Sequence, residues 1–391
     1  MTRSIVYLGG AARESLDQSA AMVVDRIARA IRSGRGPGQR FIYRIREEKD
    51  AHWLASNIGI DVAVIETPNG NGGWEPALEL LEIKYLPRLT RDFARLPGWR
   101  RGLRALGLIW DSVRRARRWR QSAGGGQAAF RLPRLDRAQA LVQSIVSLDI
   151  MLALLGWLAI GTLVAWGLGQ AKLEAPLLAA IVAVLATGAR TLPQNKSRDQ
   201  SAVESFSFLD YQMNGEAFLS IPNAVLDTIV LAKQRGCQTV DLLGFSLGSV
   251  LAVDTLFARR PLAAEALPID NLITIGFPYD LIRSATPDYF ENRLPPTLTA
   301  RHWINVVVKD DFLATPFRPG DGRAIVLADG TARTPDVSLS APCDDARWKQ
   351  PNPVWDWLSP RRLINHHIYW NDEDPWAPTC FHEVAGRAGW L

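Results

Sequence analysis

The stretch of this chain best suited to chemistry is Gly244-Phe245-Ser246-Leu247-Gly248. A serine with a glycine two positions away on either side can occupy a turn too tight for side chains at those neighbours. The apolar residues Val240, Leu242 and Leu243 before it predict a strand, and Val250, Leu251, Ala252 and Val253 after it predict a helix. On such a strand–turn–helix the Ser246 hydroxyl stands clear of the sheet. The N–H of Leu247 and the positive end of the helix then point to where an oxyanion would develop. The chemistry this allows is attack by Ser246 on a carbonyl carbon. A small-residue turn before any helix would give the same letters, so the motif needs partners.

A serine hydroxyl is a weak nucleophile that needs a base, and the base needs an orienting carboxylate. The apolar run 303–308 predicts a strand that opens into Lys309-Asp310-Asp311-Phe312. Asp311 is the expected acid, ahead of Asp310. Four histidines follow Ser246: His302, His366, His367 and His382. His302 precedes its strand and would lie at the wrong end of a sheet. One of His366 and His367 is therefore the expected base and the other its neighbour. Adjacent imidazoles seldom face one ion, and no nearby cysteine or spaced carboxylate completes a set, so neither a metal nor a cofactor is expected.

These groups need a scaffold. Short apolar runs at 5–8, 41–45, 62–65, 239–243 and 271–275 predict strands, and residues 16–31 carry helical spacing. Thr67–Glu75 (TPNGNGGWE) reads as loop throughout. Alternation of strand and helix predicts an α/β fold with a mostly parallel, doubly wound sheet.

Two charge-free runs interrupt it: residues 150–169, long enough to cross a hydrocarbon core, and the shorter 175–189. Positive charge flanks both, which places the two ends of a hairpin on the cytoplasmic side. Residues 88–134 hold thirteen arginines against Asp92 and Asp111, while the whole chain of 391 residues is only +5. The basic character thus belongs to one segment, and nucleic-acid binding is not expected. Within it, Trp99, Leu103, Leu106, Trp110 and Val113 recur at helical intervals among the arginines of 100–120, the pattern of a helix lying at a membrane surface and touching anionic lipid. The three cysteines are scattered and imply no disulfide framework. The expected organisation is one half of the α/β domain at 1–90, an arginine-rich segment at 91–140 and a transmembrane hairpin at 141–192 (spans 150–169 and 175–191). A second half follows at 202–391, with a Pro- and Trp-rich, lid-like loop at 312–363.

Four stretches carry a resemblance: 242–252 (LLGFSLGSVLA), 272–278 (LITIGFP), 303–314 (WINVVVKDDFLA) and 366–370 (HHIYW). They resemble the α/β-hydrolase (esterase/lipase) superfamily, in a branch with membrane-anchored members. Such enzymes carry a Gly-Ser-Pro-like turn, an Asp-Pro-Val-Ala-like acid loop and a His-x-x-Tyr-Trp motif. Carried over by position, the resemblance implies Ser246 as nucleophile, Asp311 as acid and His366 as base. The usual His-Gly oxyanion loop is absent. Gly9-Gly10, after the first strand, is the available substitute to join Leu247. Phe277 replaces the small residue of the Gly-Ser-Pro turn, with the expectation that it narrows the pocket.

The expectation is an integral membrane serine hydrolase, in a bacterial inner membrane with its catalytic domain cytoplasmic, acting on lipid or acyl (thio)esters. A non-catalytic membrane scaffold of the same fold and a soluble small-ester esterase are the alternatives.

Overall fold

A computed structural model of the chain describes residues 3–10, 19–34, 41–54, 56–97, parts of 100–115, 196–214, 219–262, 267–296, 298–308, 311, 313–341 and 380–390. The chain divides into two units, Met1–Arg131 with Glu204–Leu391, and Leu132–Val203. The first is described below. Both apolar runs at 150–169 and 175–189 lie outside the described residues. Among the described residues no helix is long and apolar enough to cross a membrane.

The strands are β1 (Arg3–Leu8), β2 (Arg44–Trp53), β3 (Gly59–Pro68), β4 (Trp74–Ile83), β5 (Thr239–Phe245), β6 (Leu267–Ile275), β7 (Leu298–Val308), β8 (Ile325–Val326), β9 (Ala332–Arg333) and β10 (Val337–Ala341). The helices are α1 (Ala20–Gly34), α2 (Leu86–Ala94), α3 (Lys196–Met213), α4 (Ser220–Gln234), α5 (Leu247–Leu256), α6 (Tyr279–Ala285) and α7 (Cys380–Arg387). Eight strands form one sheet in the order β10-β7-β6-β5-β1-β4-β3-β2, and β8 pairs with β9 in a separate ribbon. Every neighbouring pair from β10 to β4 is parallel. Only β3, second from the far edge, runs against its neighbours. The expected α/β architecture with a mostly parallel sheet is thus present.

The sheet is covered on both faces, as its alternation dictates. Ile5 and Tyr7 of β1, with Leu243 and Phe245 of β5, pack against Val23, Val24 and Ile27 of α1 and Phe381 and Val384 of α7. Val6 and Leu8, with Val240 and Leu242, pack on the opposite face against Val225 and Ile229 of α4 and Val250 and Val253 of α5. Helix α4 ends in a Schellman turn: Gly236 has φ +88°, its N–H reaches the Lys233 carbonyl, and that of Cys237 reaches Ala232. The turn drops the chain into β5.

Two expectations are corrected by the structure. The turn-rich stretch at 67–75 is the tip of a hairpin rather than a long loop. Asn69 Oδ1 accepts from the N–H groups of Asn71 and Gly73 at 3.1 and 2.8 Å, and β4 begins at Trp74. Part of the expected lid-like stretch 312–363 is ordered strand, since β8, β9 and β10 fall within it and β10 closes one edge of the sheet. Its residues 342–363 lie outside the described residues.

The described residues of 100–115 are helical. Ala105 and Leu108 are the buried ones, whereas Leu103 and Trp110 are 61 % and 64 % exposed.

Candidate active site

Strands β1, β5, β6 and β7 are parallel, so their C-terminal ends share one edge of the sheet, where ligands of open α/β sheets bind. Strand β5 delivers Phe245 to this edge, and the chain then turns at Ser246 into α5. Ser246 adopts φ 54° and ψ −119°. A non-glycine residue is held there only when its surroundings over-determine it, at a cost of about 1–3 kcal/mol.

Those surroundings are visible. The Ser246 N–H donates to the Ile275 carbonyl of β6 at 2.8 Å, and Ser249 N–H donates back to the Ser246 carbonyl at 3.0 Å. The Ser249 hydroxyl lies within hydrogen-bond distance of both the Gly244 and Ile275 carbonyls, at 2.7 and 3.1 Å. Both flanking glycines are compelled by contact. A Cβ on Gly244 would sit 2.5 Å from Ser249 Cα, and one on Gly248 would sit 2.0 Å from the Leu8 carbonyl oxygen of β1. The spacing read from the sequence is therefore a packing requirement between helix, turn and neighbouring strand.

Strand β1 pairs with β5 up to Leu8 opposite Gly244, so Gly9-Gly10 continues alongside Phe245-Ser246. A Cβ on Gly10 would lie 3.1 Å from Ser246 Cβ and 2.9 Å from the Phe245 ring. The Tyr85 hydroxyl, buried between β4 and α2, donates to the Gly9 carbonyl at 2.6 Å and fixes this loop. Ser246, Leu247, Gly9 and Gly10 are thus neighbours. Ser246 and Leu247 are half-buried, while Gly9 and Gly10 are buried. Ser246 stands at the N-cap of α5 without making a side-chain capping bond. The first N–H groups of that helix lack intrahelical acceptors, and its dipole is positive at this end. The arrangement suits negative charge building up beside Ser246.

Asp311 follows β7, two strands from β5, hence about 10 Å across the sheet. It is 6 % exposed. Its Oδ1 accepts from the N–H groups of Leu313 and Ala314 at 2.9 and 3.3 Å, an Asx turn that holds the carboxylate against its own loop. That loop is tied to the one after β6: Thr315 N–H reaches the Phe277 carbonyl at 2.9 Å, and the Thr315 hydroxyl accepts from Asp280 N–H at 2.9 Å. Beneath it the buried Arg323 guanidinium forks onto Asp280, with Nη2 at 2.8 Å from Oδ2. Asp310, His366 and His367 lie outside the described residues. His302 does not precede its strand as expected: it is the fifth residue of β7, exposed and paired with Asn271, and lies within the strand rather than in the loop that carries Asp311.

Phe277 does not narrow a pocket. Its ring is fully buried against Tyr279, Phe290, Trp303 and Phe317, stacking on Phe317 at 5.9 Å, so it serves the core beneath the edge. Tyr85, Ser249 and Thr315 escaped the sequence reading. Ser249, one turn into the helix, carried a local signal; Tyr85 and Thr315 act only across the fold. Among the described residues no cluster of His, Cys, Asp or Glu could hold a metal ion.

No family model, no curated protein and no solved structure matches the chain.

Proposed function

We propose that the chain is a membrane-anchored serine hydrolase of the α/β-hydrolase kind, cleaving carboxylic esters or thioesters of lipid or acyl substrates. The observation that carries the reading is the backbone of Ser246. It holds φ 54° and ψ −119° between two glycines that cannot accept a Cβ, at the N-terminus of a helix and beside the Gly9-Gly10 loop. A serine held at positive φ at the edge where open α/β sheets bind ligands supports a nucleophile over a connecting turn.

In this reading Ser246 Oγ attacks the carbonyl carbon while His366 accepts its proton. The N–H groups of Leu247 and of Gly9 or Gly10 receive the oxyanion. The tetrahedral intermediate collapses, His366 returns the proton to the departing alcohol or thiol, and an acyl group remains on Ser246. Water then repeats the sequence to release the carboxylic acid. Asp311 orients the imidazole, which must span the two strand spacings, across β6, between acid and nucleophile. The 100–115 helix supports placement at a bilayer: it exposes Leu103 and Trp110, beside Arg100, Arg104 and Arg114, instead of burying them in the domain. The apolar runs at 150–169 and 175–189 would supply the anchor.

The test is fluorophosphonate labelling of membranes carrying the full-length wild type, Ser246→Ala and His366→Ala. Labelling of the wild type that both substitutions abolish supports the assignment. A wild type that stays unlabelled in intact membranes and after detergent opening refutes it and leaves the scaffold reading. Extraction of the wild type by alkaline carbonate would refute the anchor.

A further inference from the structure

A cavity lies away from Ser246, at the far end of α5. Its volume is about 530 Å³, within the range of small-molecule sites. Asp254, eight residues beyond Ser246 and about 12 Å along the helix, lies on its wall. Met213, Leu219, Pro222, Ala258 and Leu262 give it an apolar lining.

The polar side is fully assembled except at one place. Asp254 Oδ1 accepts from Arg293 Nη1 at 2.8 Å, and its Oδ2 accepts from the hydroxyl of Tyr211 at 2.7 Å and from that of Tyr289. Arg293 is fully buried and also donates to the Phe257 and Tyr289 carbonyls at 3.0 and 2.6 Å. Burial, and then the Asp254 charge, push both phenols above their ordinary pKa, so they stay donors to the carboxylate. Asp254 is therefore matched within the wall.

Arg259 is different. Its guanidinium lies 3.7 Å over the Tyr289 ring, and Nη1 donates to the Gln212 carbonyl at 2.8 Å. Its Nη2 is buried with no hydrogen-bond partner among the described residues. A charged donor held still by stacking and one carbonyl, with its second nitrogen unmatched in the wall of a cavity, is costly unless an acceptor arrives. The exposed Arg260 lines the same cavity, so the wall holds three guanidiniums against one carboxylate.

We infer that this cavity binds a small amphiphilic carboxylate, its head on Arg259 and its aliphatic body on Met213, Leu219, Pro222 and Leu262. The inference does not depend on Ser246 being a nucleophile. The apolar lining favours a carboxylate on a chain over a bare inorganic anion.

Titration calorimetry of the full-length chain with octanoate, octanol and inorganic phosphate tests it. Octanoate should bind, with octanol and phosphate each at least tenfold weaker. Arg259→Gln should weaken octanoate at least tenfold. Leu262→Trp, which fills the apolar end without touching the head, should weaken it as well and decides the matter if Arg259→Gln fails to fold by circular dichroism. The proposal is overturned by any of three results: no octanoate binding, octanol or phosphate binding equally well, or folded variants that bind as the wild type does.

Discussion

Comparing Ser246→Gly with Ser246→Ala isolates the strain at the turn. Both variants lose the hydroxyl and whatever it bonds, so their difference reports the backbone alone. At φ 54° and ψ −119° a residue with a Cβ carries about 1–3 kcal/mol of conformational cost that glycine does not. Against this, glycine loses more freedom on folding, worth about 0.5–1 kcal/mol. The balance leaves the glycine variant more stable by about 1 kcal/mol. For a domain of this size that is a melting temperature roughly 1–2 °C higher. At an ordinary helical or extended position the order is reversed by about 1 kcal/mol in favour of alanine. The two cases thus differ in sign, which thermal denaturation of the paired variants reads directly. If the alanine variant melts at or above the glycine variant, Ser246 is not strained and the reasoning that makes it a nucleophile collapses.

Gly248→Ala would force a Cβ to 2.0 Å from the Leu8 carbonyl oxygen; lifting α5 off β1 should cost about 3 kcal/mol and lower the melting temperature by roughly 4–5 °C. Tyr85→Phe removes the bond to the Gly9 carbonyl and should lower kcat several-fold, up to about tenfold, with KM little changed, in ester-hydrolysis kinetics. Asp311→Asn should slow phosphonylation of Ser246 by about 10³–10⁴ while leaving the fold intact by circular dichroism. Burial lowers the pKa of His382, which contacts the Ser33 hydroxyl. Its neutral form is favoured in the folded state, so its contribution is present above the ordinary histidine range and is lost as pH falls through it. Denaturant titrations at pH 7.5 and 5 should show a smaller loss on acidification for His382→Gln than for the wild type.

What could be read from the sequence was what local geometry demands. The turn at Ser246 was legible because Gly244 and Gly248 are required by atoms of the same turn and of the strand beside it. Strands β1, β5 and β6 are apolar runs, and such runs announce themselves. Strand β4 did not, because Glu75, Glu79 and Glu82 interrupt its pattern. Two of those carboxylates are buried: Glu79 pairs with Arg235 at 2.6 Å, and Glu82 accepts the Ala20 N–H at the start of α1 at 3.0 Å. Partners that distant in sequence erase the polar/apolar signal. The same holds for Tyr85, whose role lies in one hydroxyl reaching a loop 76 residues earlier. Of the apolar positions expected on the arginine-rich helix, Trp99, Leu106 and Val113 lie outside the described residues, and the domain buries Ala105 and Leu108 while leaving Leu103 and Trp110 outside.

The place of β1 at the centre of the sheet sets a timetable for synthesis. Its first neighbour, β4, ends at Ile83, but the second, β5, ends only at Phe245. At about 5–20 residues per second, β1 meets β4 within roughly 4–15 s and then waits a further 8–30 s for β5. Throughout that interval the apolar edge Ser4–Leu8 is open to pairing with any extended chain. The ribosome's product is most exposed to aggregation while residues 84–238 emerge. Slowing translation there should lower soluble yield more than slowing it anywhere after Phe245.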